Sequence, residues 1–364
     1  MSSRKDNAQI DAPKVLDEVL ERAVKERASD VHFEPTAQGL EVRLRIDGVL
    51  KTVKTFDKSS GRSVVTRLMV MAQLLTYRLD IPQEGRATVV VASNSNPMDV
   101  RVSVMPTTQG LRAAVRLPAE LVQPRTLENL SLPAGVLSAL KDYAQADSGM
   151  LILTGPAGSG KTTTIYALLE HIVQTSPGMS IVSLEDPVER DLPGVTQIEV
   201  SPFGELTYER ALRSILRQDP QVLMMGEIRD GATASVAVQA ALSGHRLIST
   251  LHAATPAGAI ARLMEMGIEP YQITSALYGV VAQRLVRRKS DDRYQGRVAV
   301  AEFVRMDDRL RRVVVKHADM AEIRHAYAQQ TGYQTMQEVA RELMQQGITD
   351  DQEVRRVLGA DMFV

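Results

Sequence analysis

Residues 155–162 read GPAGSGKT, with the apolar run MLIL before them and TTIYALL after. This G-x-x-x-x-G-K-[ST] spacing constrains the fold more than any other feature. A buried strand must deliver such a loop and a helix must leave it. The glycines let backbone N–H groups curl around phosphate oxygens, and the helix N-terminus adds its positive dipole. Gly155, Pro156, Ala157, Gly158, Ser159 and Gly160 are therefore expected to line bound phosphates. Lys161 is expected to neutralise the β- and γ-phosphates and the Thr162 hydroxyl to ligate Mg²⁺, with Thr163 completing the run. A glycine-rich turn without a ligand is the competing reading, and the strand–helix context opposes it.

Around this loop the pattern is that of an α/β protein. The strand candidates MLILTG, SIVSLED, VLMMGE and RLISTLH alternate with the helix candidates TTTIYALLEHIVQ, YERALRSILRQ, ATASVAVQAALSG and AGAIARLMEMG. Buried strands alternating with helices predict a mostly parallel, doubly wound sheet. The preceding region differs. KVLDEVLERAVKER, Lys14 to Arg27, has helical apolar spacing, and a second helix is expected from Val64 to Leu75. In LEVRLRIDG, Leu40, Val42, Leu44 and Ile46 alternate with Glu41, Arg43 and Arg45, and Asp47-Gly48 predicts a tight turn. The expected organisation is a frayed, polar 1–12, a small α+β domain over 13–118, a proline-bearing linker over 119–133, a P-loop domain over 134–290 and a polar helical part over 291–364.

Composition narrows the function. Lys plus Arg number 43 against 44 Asp plus Glu, giving a net charge of -1, and aromatics are 4% with no Trp. A dedicated nucleic-acid binder usually shows a basic excess and stacking platforms, so no nucleic-acid partner is expected. With no cysteine there is no disulfide, thiolate zinc site or Cys nucleophile. No apolar run approaches membrane-spanning length and the first residues lack an apolar signal core, so a cytoplasmic protein without direct membrane insertion is expected.

The ends of the later strands carry chemistry. LEDPVER places Glu185, Asp186 and Glu189 after SIVSL, at an edge that faces ligand in a doubly wound sheet. Such carboxylates can polarise an attacking water; a solvated acidic loop is the bland alternative. VLMMGEIRD offers Glu227, long enough to reach Mg²⁺ through a coordinated water, while Asp230 reads as a helix cap. His252 closes RLISTLH on the ligand side, whereas His245 precedes that strand. Arg213 and Arg217 have i, i+4 spacing on one predicted helix; surface charge is the usual fate of such a pair, yet phosphoryl transfer profits from cations.

Together these segments resemble the secretion ATPase family that powers type II secretion and type IV pilus assembly. ERASDVHFEP, VRLRIDGVL, PQEGR and DVRVSVMPT resemble its N-terminal domain; GPAGSGKTTTIYALL its Walker A; LEDPVE its Asp box; LRSILRQDPQVLMMGEIRD its Walker B; GHRLISTLHA its His box; and GRVAVAEF with the closing helices its C-terminal part. The resemblance implies a hexameric ring of subunits. Each would carry a RecA-like P-loop motor domain preceded by a PAS-like domain, with ATP and Mg²⁺ as cofactors.

By position, it makes Glu189 the residue that activates water, Glu227 a Mg²⁺ ligand through water and His252 a partner of the γ-phosphate. Arg86 of PQEGR and Arg101 of DVRVS would reach the nucleotide from the N-terminal domain, with Arg213 and Arg217 as further phosphate sensors. It also implies a polytopic inner-membrane platform protein as partner and a peripheral place at that membrane. The tetracysteine zinc module of many members is missing, so no zinc is expected, and only about a dozen residues precede the first predicted helix. Pilus retraction, conjugative secretion and nucleic-acid motors are the alternatives. RASDVHFEP and LRIDG fit the assembly branch better.

Overall fold

The computed structural model describes residues 11–91, 94–118, 126–201, 204–291, 293–317 and 319–359. Residues 1–10 of the frayed segment expected over 1–12 and residues 119–125 of the linker expected over 119–133 fall outside these residues. The chain divides into two compact units, Met1–Gln123 and Pro124–Val364.

The first unit is one antiparallel sheet with two helices on one face. Helix α1 spans Ala12–Lys25, two residues ahead of the expected start, because the Asp11 side chain accepts the Lys14 N–H at its N-cap. It stops at Lys25, and Arg27 turns left-handed at φ 53°. Strands β1 (Asp30–Pro35), β2 (Gly39–Ile46) and β3 (Val49–Asp57) follow. Asp47 and Gly48, at φ 49° and 83°, make the two-residue turn that the sequence predicts between β2 and β3.

Helix α2 spans Lys58–Met71 rather than 64–75, because Asp57 caps it by accepting the Ser59 and Ser60 N–H groups. Strands β4 (Gln83–Val91), β5 (Asn94–Thr107) and β6 (Gly110–Arg116) complete the order β3-β2-β1-β6-β5-β4. Val31, Phe33, Val42, Leu44, Val102 and Val115 turn inward onto Leu16, Leu20, Val65 and Leu68 of the helices. The alternate residues form a polar outer face.

The second unit begins in a short 3-10 turn, Leu127–Leu130, whose Leu127 is buried in the unit's core, so the end of the predicted linker is part of this unit. Its elements are α3 (Ala134–Ala144), β7 (Gly149–Thr154), α4 (Lys161–Thr175), β8 (Ile181–Glu185), β9 (Thr196–Glu199), α5 (Tyr208–Ile215), β10 (Val222–Met225), α6 (Gly231–Leu242), β11 (Arg246–Leu251), α7 (Pro256–Glu265), α8 (Pro270–Ala276), β12 (Leu277–Ser290) and β13 (Arg293–Arg305). The sheet order is β13-β12-β7-β11-β10-β8-β9, parallel throughout except for the β12–β13 hairpin.

Successive residues of β7 explain the two-sided burial. Met150 and Ile152 enter one core with α5 to α8, while Leu151 and Leu153 enter another with α3 and α4. β8, next in the chain after β7, lies three strands away, and the chain later returns to flank β7 with β11 and β12. That reversal opens a crevice at the carboxyl end of β7, where open α/β sheets bind ligands.

The part expected to be helical over 291–364 instead opens with β13, which extends the sheet. Helices α9 (Asp308–Val315), α10 (Met320–Tyr327), α11 (Met336–Gln345) and α12 (Asp351–Leu358) follow. The β12–β13 pair outruns β7, and α11 and α12 cover its far half through Val339, Ala340 and Val354. A charged clamp fixes α12. Fully buried Glu353 accepts from the Arg287 backbone N–H at 2.9 Å and side-chain Nη2 at 2.6 Å, and from Arg356 Nη2 at 2.6 Å.

Burial alone would push the Glu353 carboxyl up, but Arg356 and Arg287 outweigh it and hold the group down at about 2. A depressed folded-state value contributes stability above the unfolded value near 4.5 that is lost as pH falls toward about 2. Glu353→Gln leaves two guanidiniums without their counter-charge and is expected to cost about 3–5 kcal/mol at neutral pH. Urea midpoints of wild type and variant should converge between pH 4.5 and 2; a gap that stays constant across that range excludes the clamp.

Candidate active site

The crevice at the end of β7 is formed by the loop 155–160. Gly155, Gly158 and Gly160 have φ of 147°, 75° and 87°, a region that favours glycine. Space adds to the constraint at two of them. A Cβ on Gly155 would stand 2.4 Å from the Gln283 carbonyl oxygen, and one on Gly160 would stand 2.8 Å from Gln283 Nε2. Lys161 opens α4 and donates from Nζ to the Gly155 and Pro156 carbonyls at 2.8 and 3.0 Å. Burial lowers its pKa; the charge of Glu227 works against this and that of Arg284 adds to it. Thr162 and Thr163 occupy the first turn of α4. A left-handed glycine loop, an ammonium and a helix N-terminus with a hydroxyl fit a nucleotide phosphate chain with Mg²⁺.

The loop is held from the neighbouring strand by residues that the sequence reading passed over. Gln283 of β12 is buried, donates from Nε2 to the Ser159 carbonyl at 2.9 Å and accepts the Thr164 hydroxyl at 3.0 Å. The next residue, Arg284, donates to the Gln283 and Ala254 carbonyls at 3.0 and 3.1 Å, which places its charge beside Lys161. Burial holds the Arg284 guanidinium below its ordinary value. No local pattern in AQRLVRRK sets these two residues apart; it is their place on β12 that points Gln283 and Arg284 to opposite faces.

The carboxylates divide into two groups. Glu185 is buried and accepts from Ser183 Oγ at 2.6 Å, from Gln197 Nε2 at 3.0 Å and from the Tyr166 hydroxyl. Tyr166 Oη also accepts the Glu189 N–H at 3.2 Å. Glu185 thus anchors the Asp-box turn, with both oxygens engaged by protein groups. Glu189 is exposed, and its carboxylate has no hydrogen-bond partner among the described residues.

Glu227 belongs to the second group. Its Oε2 lies 3.0 Å from His252 Nε2, its Oε1 pairs with Arg229, and Arg229 Nη2 lies 3.7 Å from Asp186 Oδ2. Arg229, inside the quoted GEIRD, was not singled out from sequence. Asp230 caps α6 by accepting the Thr233 N–H at 2.8 Å, as expected. His245 lies at the opposite end of β11 and hydrogen-bonds the Ala240 carbonyl, away from the P-loop edge.

Arg213 and Arg217 do not share a helix. α5 ends at Ile215, and Arg217 N–H closes a tight turn onto the Ser214 carbonyl. Pro220 and the left-handed Asp219, at φ 52°, explain this early stop. Arg213 pairs with Glu209 on the helix surface at 3.0 Å.

In the first unit, Arg86 and Arg101 are direct cross-strand partners on β4 and β5, and Arg101 also faces Arg116 of β6. Arg116 in turn faces Asp30 of β1, which takes its Nε at 3.1 Å and lies 3.5 Å from Arg45 Nε. Residues directly opposite share one face. The outer face of this sheet therefore carries a transverse row of Arg86, Arg101, Arg116, Asp30 and Arg45. No helix among the described residues is long and apolar enough to cross a membrane.

Known proteins resemble this chain over most of its length. The family model for the type II/IV secretion system protein matches residues 4–356. The type II secretion system protein HxcR of Pseudomonas aeruginosa is 38% identical over 364 residues, covering 94% of this chain and 76% of that protein. The type IV pilus assembly ATPase PilB of Thermus thermophilus is 36% identical over 382 residues, covering 94% of this chain but 42% of that protein. The crystal structure of the pilus retraction motor PilT with bound ADP superposes with a TM-score of 0.68 at 26% identity, covering 93% of this chain and 96% of that one. With the phosphate loop, the acid-bearing strand ends and this near-complete match together, the chain belongs to the type II/IV secretion system ATPase family.

Proposed function

We propose that this chain is a Mg²⁺-dependent ATPase motor that drives assembly of a type IV pilus or a type II secretion pseudopilus at the inner membrane. It would work there as a homo-hexamer on a polytopic platform protein, held peripherally from the cytoplasmic side. The observation that supports this reading is the grouping of Lys161, Glu227 and His252 at the P-loop edge of one sheet, with Glu189 on the turn that follows β8. The names of its relatives support assembly, while likeness to PilT supports retraction at lower identity.

In this reading Gly155–Gly160 and Lys161 bind the phosphates, and Thr162 with Glu227 holds the metal, Glu227 through a water. Mg²⁺, when bound, neutralises charge on the phosphate oxygens. His252 hydrogen-bonds the Glu227 carboxylate and would couple it to the γ-phosphate. Glu189 has a free carboxylate on a braced turn and takes the proton of the attacking water. The water oxygen bonds the γ-phosphorus as the bond to the bridging oxygen breaks, and ADP leaves with that electron pair. Arg86 and Arg101 supply cations from the first unit, and Arg213 and Arg217 act as further phosphate sensors. Binding would then draw the units together and hydrolysis would release them.

Glu189→Gln is expected to bind ATP as wild type does and lose turnover by about a thousandfold, whereas Lys161→Ala loses binding itself. Fluorescent-nucleotide titration beside phosphate release separates the two, and ordinary turnover in Glu189→Gln removes Glu189 as the base. Arg101→Ala should keep the thermal midpoint of the full chain and lower ATP turnover by at least about tenfold. An unchanged rate rejects the contribution of the first unit's arginines.

A further inference from the structure

Gly226 stands between the end of β10 and Glu227, and its need for glycine has a specific cause. A Cβ there would stand 2.6 Å from Tyr208 Oη and 3.6 Å from Tyr208 Cζ. The hydroxyl of Tyr208, the first residue of α5, therefore fills the volume that a side chain at 226 would take. Its ring packs against the core under the sheet. The hydroxyl has no hydrogen-bond partner among the described residues, although the charges of Asp186, Arg229, Glu227 and Glu185 all act on it. Burial first, and then Asp186, push the phenol well above its ordinary value, so it stays protonated at physiological pH. A neutral O–H without a protein acceptor, standing against the residue before Glu227, can donate to water.

We propose that Tyr208 is a positioning residue for hydrolysis: its hydroxyl donates to the water layer shared by Asp186 and Glu227, ordering the water through which Glu227 reaches the metal. This rests on the ATPase reading. The hydroxyl sits on the backbone between Met225 and Glu227, beside the acid rather than beside the phosphate loop. It therefore acts on the hydration of the acid and leaves nucleotide affinity alone. A water-mediated contact serves nearly as well as a direct one where the groups are too far apart to touch. The same contact ties the start of α5 to the metal-side acid.

The test is a double-mutant cycle in the full-length chain. Tyr208→Phe keeps the ring and removes only the oxygen. It is expected to lower kcat about tenfold, the effect of one hydrogen bond to a charged group, and to raise the Mg²⁺ concentration for half-maximal rate severalfold. ATP affinity should stay within about twofold, since the hydroxyl does not face the phosphates. Gly226→Ala should lower the urea midpoint because its Cβ meets the hydroxyl. Adding Tyr208→Phe should restore that midpoint without restoring kcat.

A Tyr208→Phe enzyme with kcat within twofold of wild type and an unmoved Mg²⁺ midpoint overturns the proposal. So does a Gly226→Ala midpoint that Tyr208→Phe fails to rescue, because the hydroxyl would then not occupy that space. A wild-type chain that binds ATP without hydrolysing it sinks the ATPase reading instead. The midpoint cycle, read without nucleotide, still reports the contact in that case.

Discussion

The site depends on one buried amide. Gln283 ties the P-loop to β12 by donating to the Ser159 carbonyl and accepting from Thr164, the second threonine after Thr162 on the same helix. A loop of left-handed glycines has little stiffness of its own. Its carbonyls and N–H groups need partners outside the loop, or else the phosphates would have to organise it on each binding event. Because Gln283 is buried and bonded through both its amide nitrogen and its amide oxygen, the loop is set before any ligand arrives, and less ordering cost is left for binding. The steric need for glycine at 155 and 160 comes from the same residue, so the glycine spacing of the motif and the strand beside it form one mechanical unit.

The acids at the strand ends are organised by the same economy. Glu185, the carboxylate with the most protein donors, is the one least available to a substrate. Its work is to pin the Asp-box turn, so that Glu189 projects from a fixed backbone with its own carboxylate free. Glu227 is held in the opposite manner, between a histidine and an arginine that each leave part of it open to solvent. A base wants an unpartnered carboxylate, and a metal-side acid wants one whose direction is fixed. The two acids differ in the way the roles proposed for Glu189 and Glu227 would require.

Much of this was legible in the residues. The phosphate loop, the helix cap at Asp230, the Asp47-Gly48 turn and the alternation of β2 follow from local chemistry that tolerates few alternatives. What escaped depends on partners distant in sequence. Nothing local in AQRLVRRK distinguishes a strand whose first half is buried on both faces from a loop before a helical tail. Only the pairing of β12 with β7 on one side and β13 on the other decides it. Gln283 and Arg284 were missed for the same reason. Arg217 was placed on a helix by its spacing from Arg213, but the Asp219-Pro220 backbone ended that helix one turn early. Arg229 was overlooked because a charged residue after an acidic strand end reads as solvent-facing until Glu227 and Asp186 are seen on either side of it.

The outer face of the first unit makes the clearest case for function from energetics alone. Like charges directly opposite across strands destabilise a sheet by a few tenths of a kcal/mol or more per pair. Here Arg86, Arg101 and Arg116 stand opposite one another in sequence across β4, β5 and β6. A buried carboxylate, Asp30, answers Arg116 and Arg45 at one end of the row. A sheet optimised for stability alone would replace the middle arginine with an uncharged β-former. In the motor proposed above, an anion laid across the row would relieve the repulsion between Arg101 and Arg116, and the relief would be greatest for a polyanion bearing several phosphate charges.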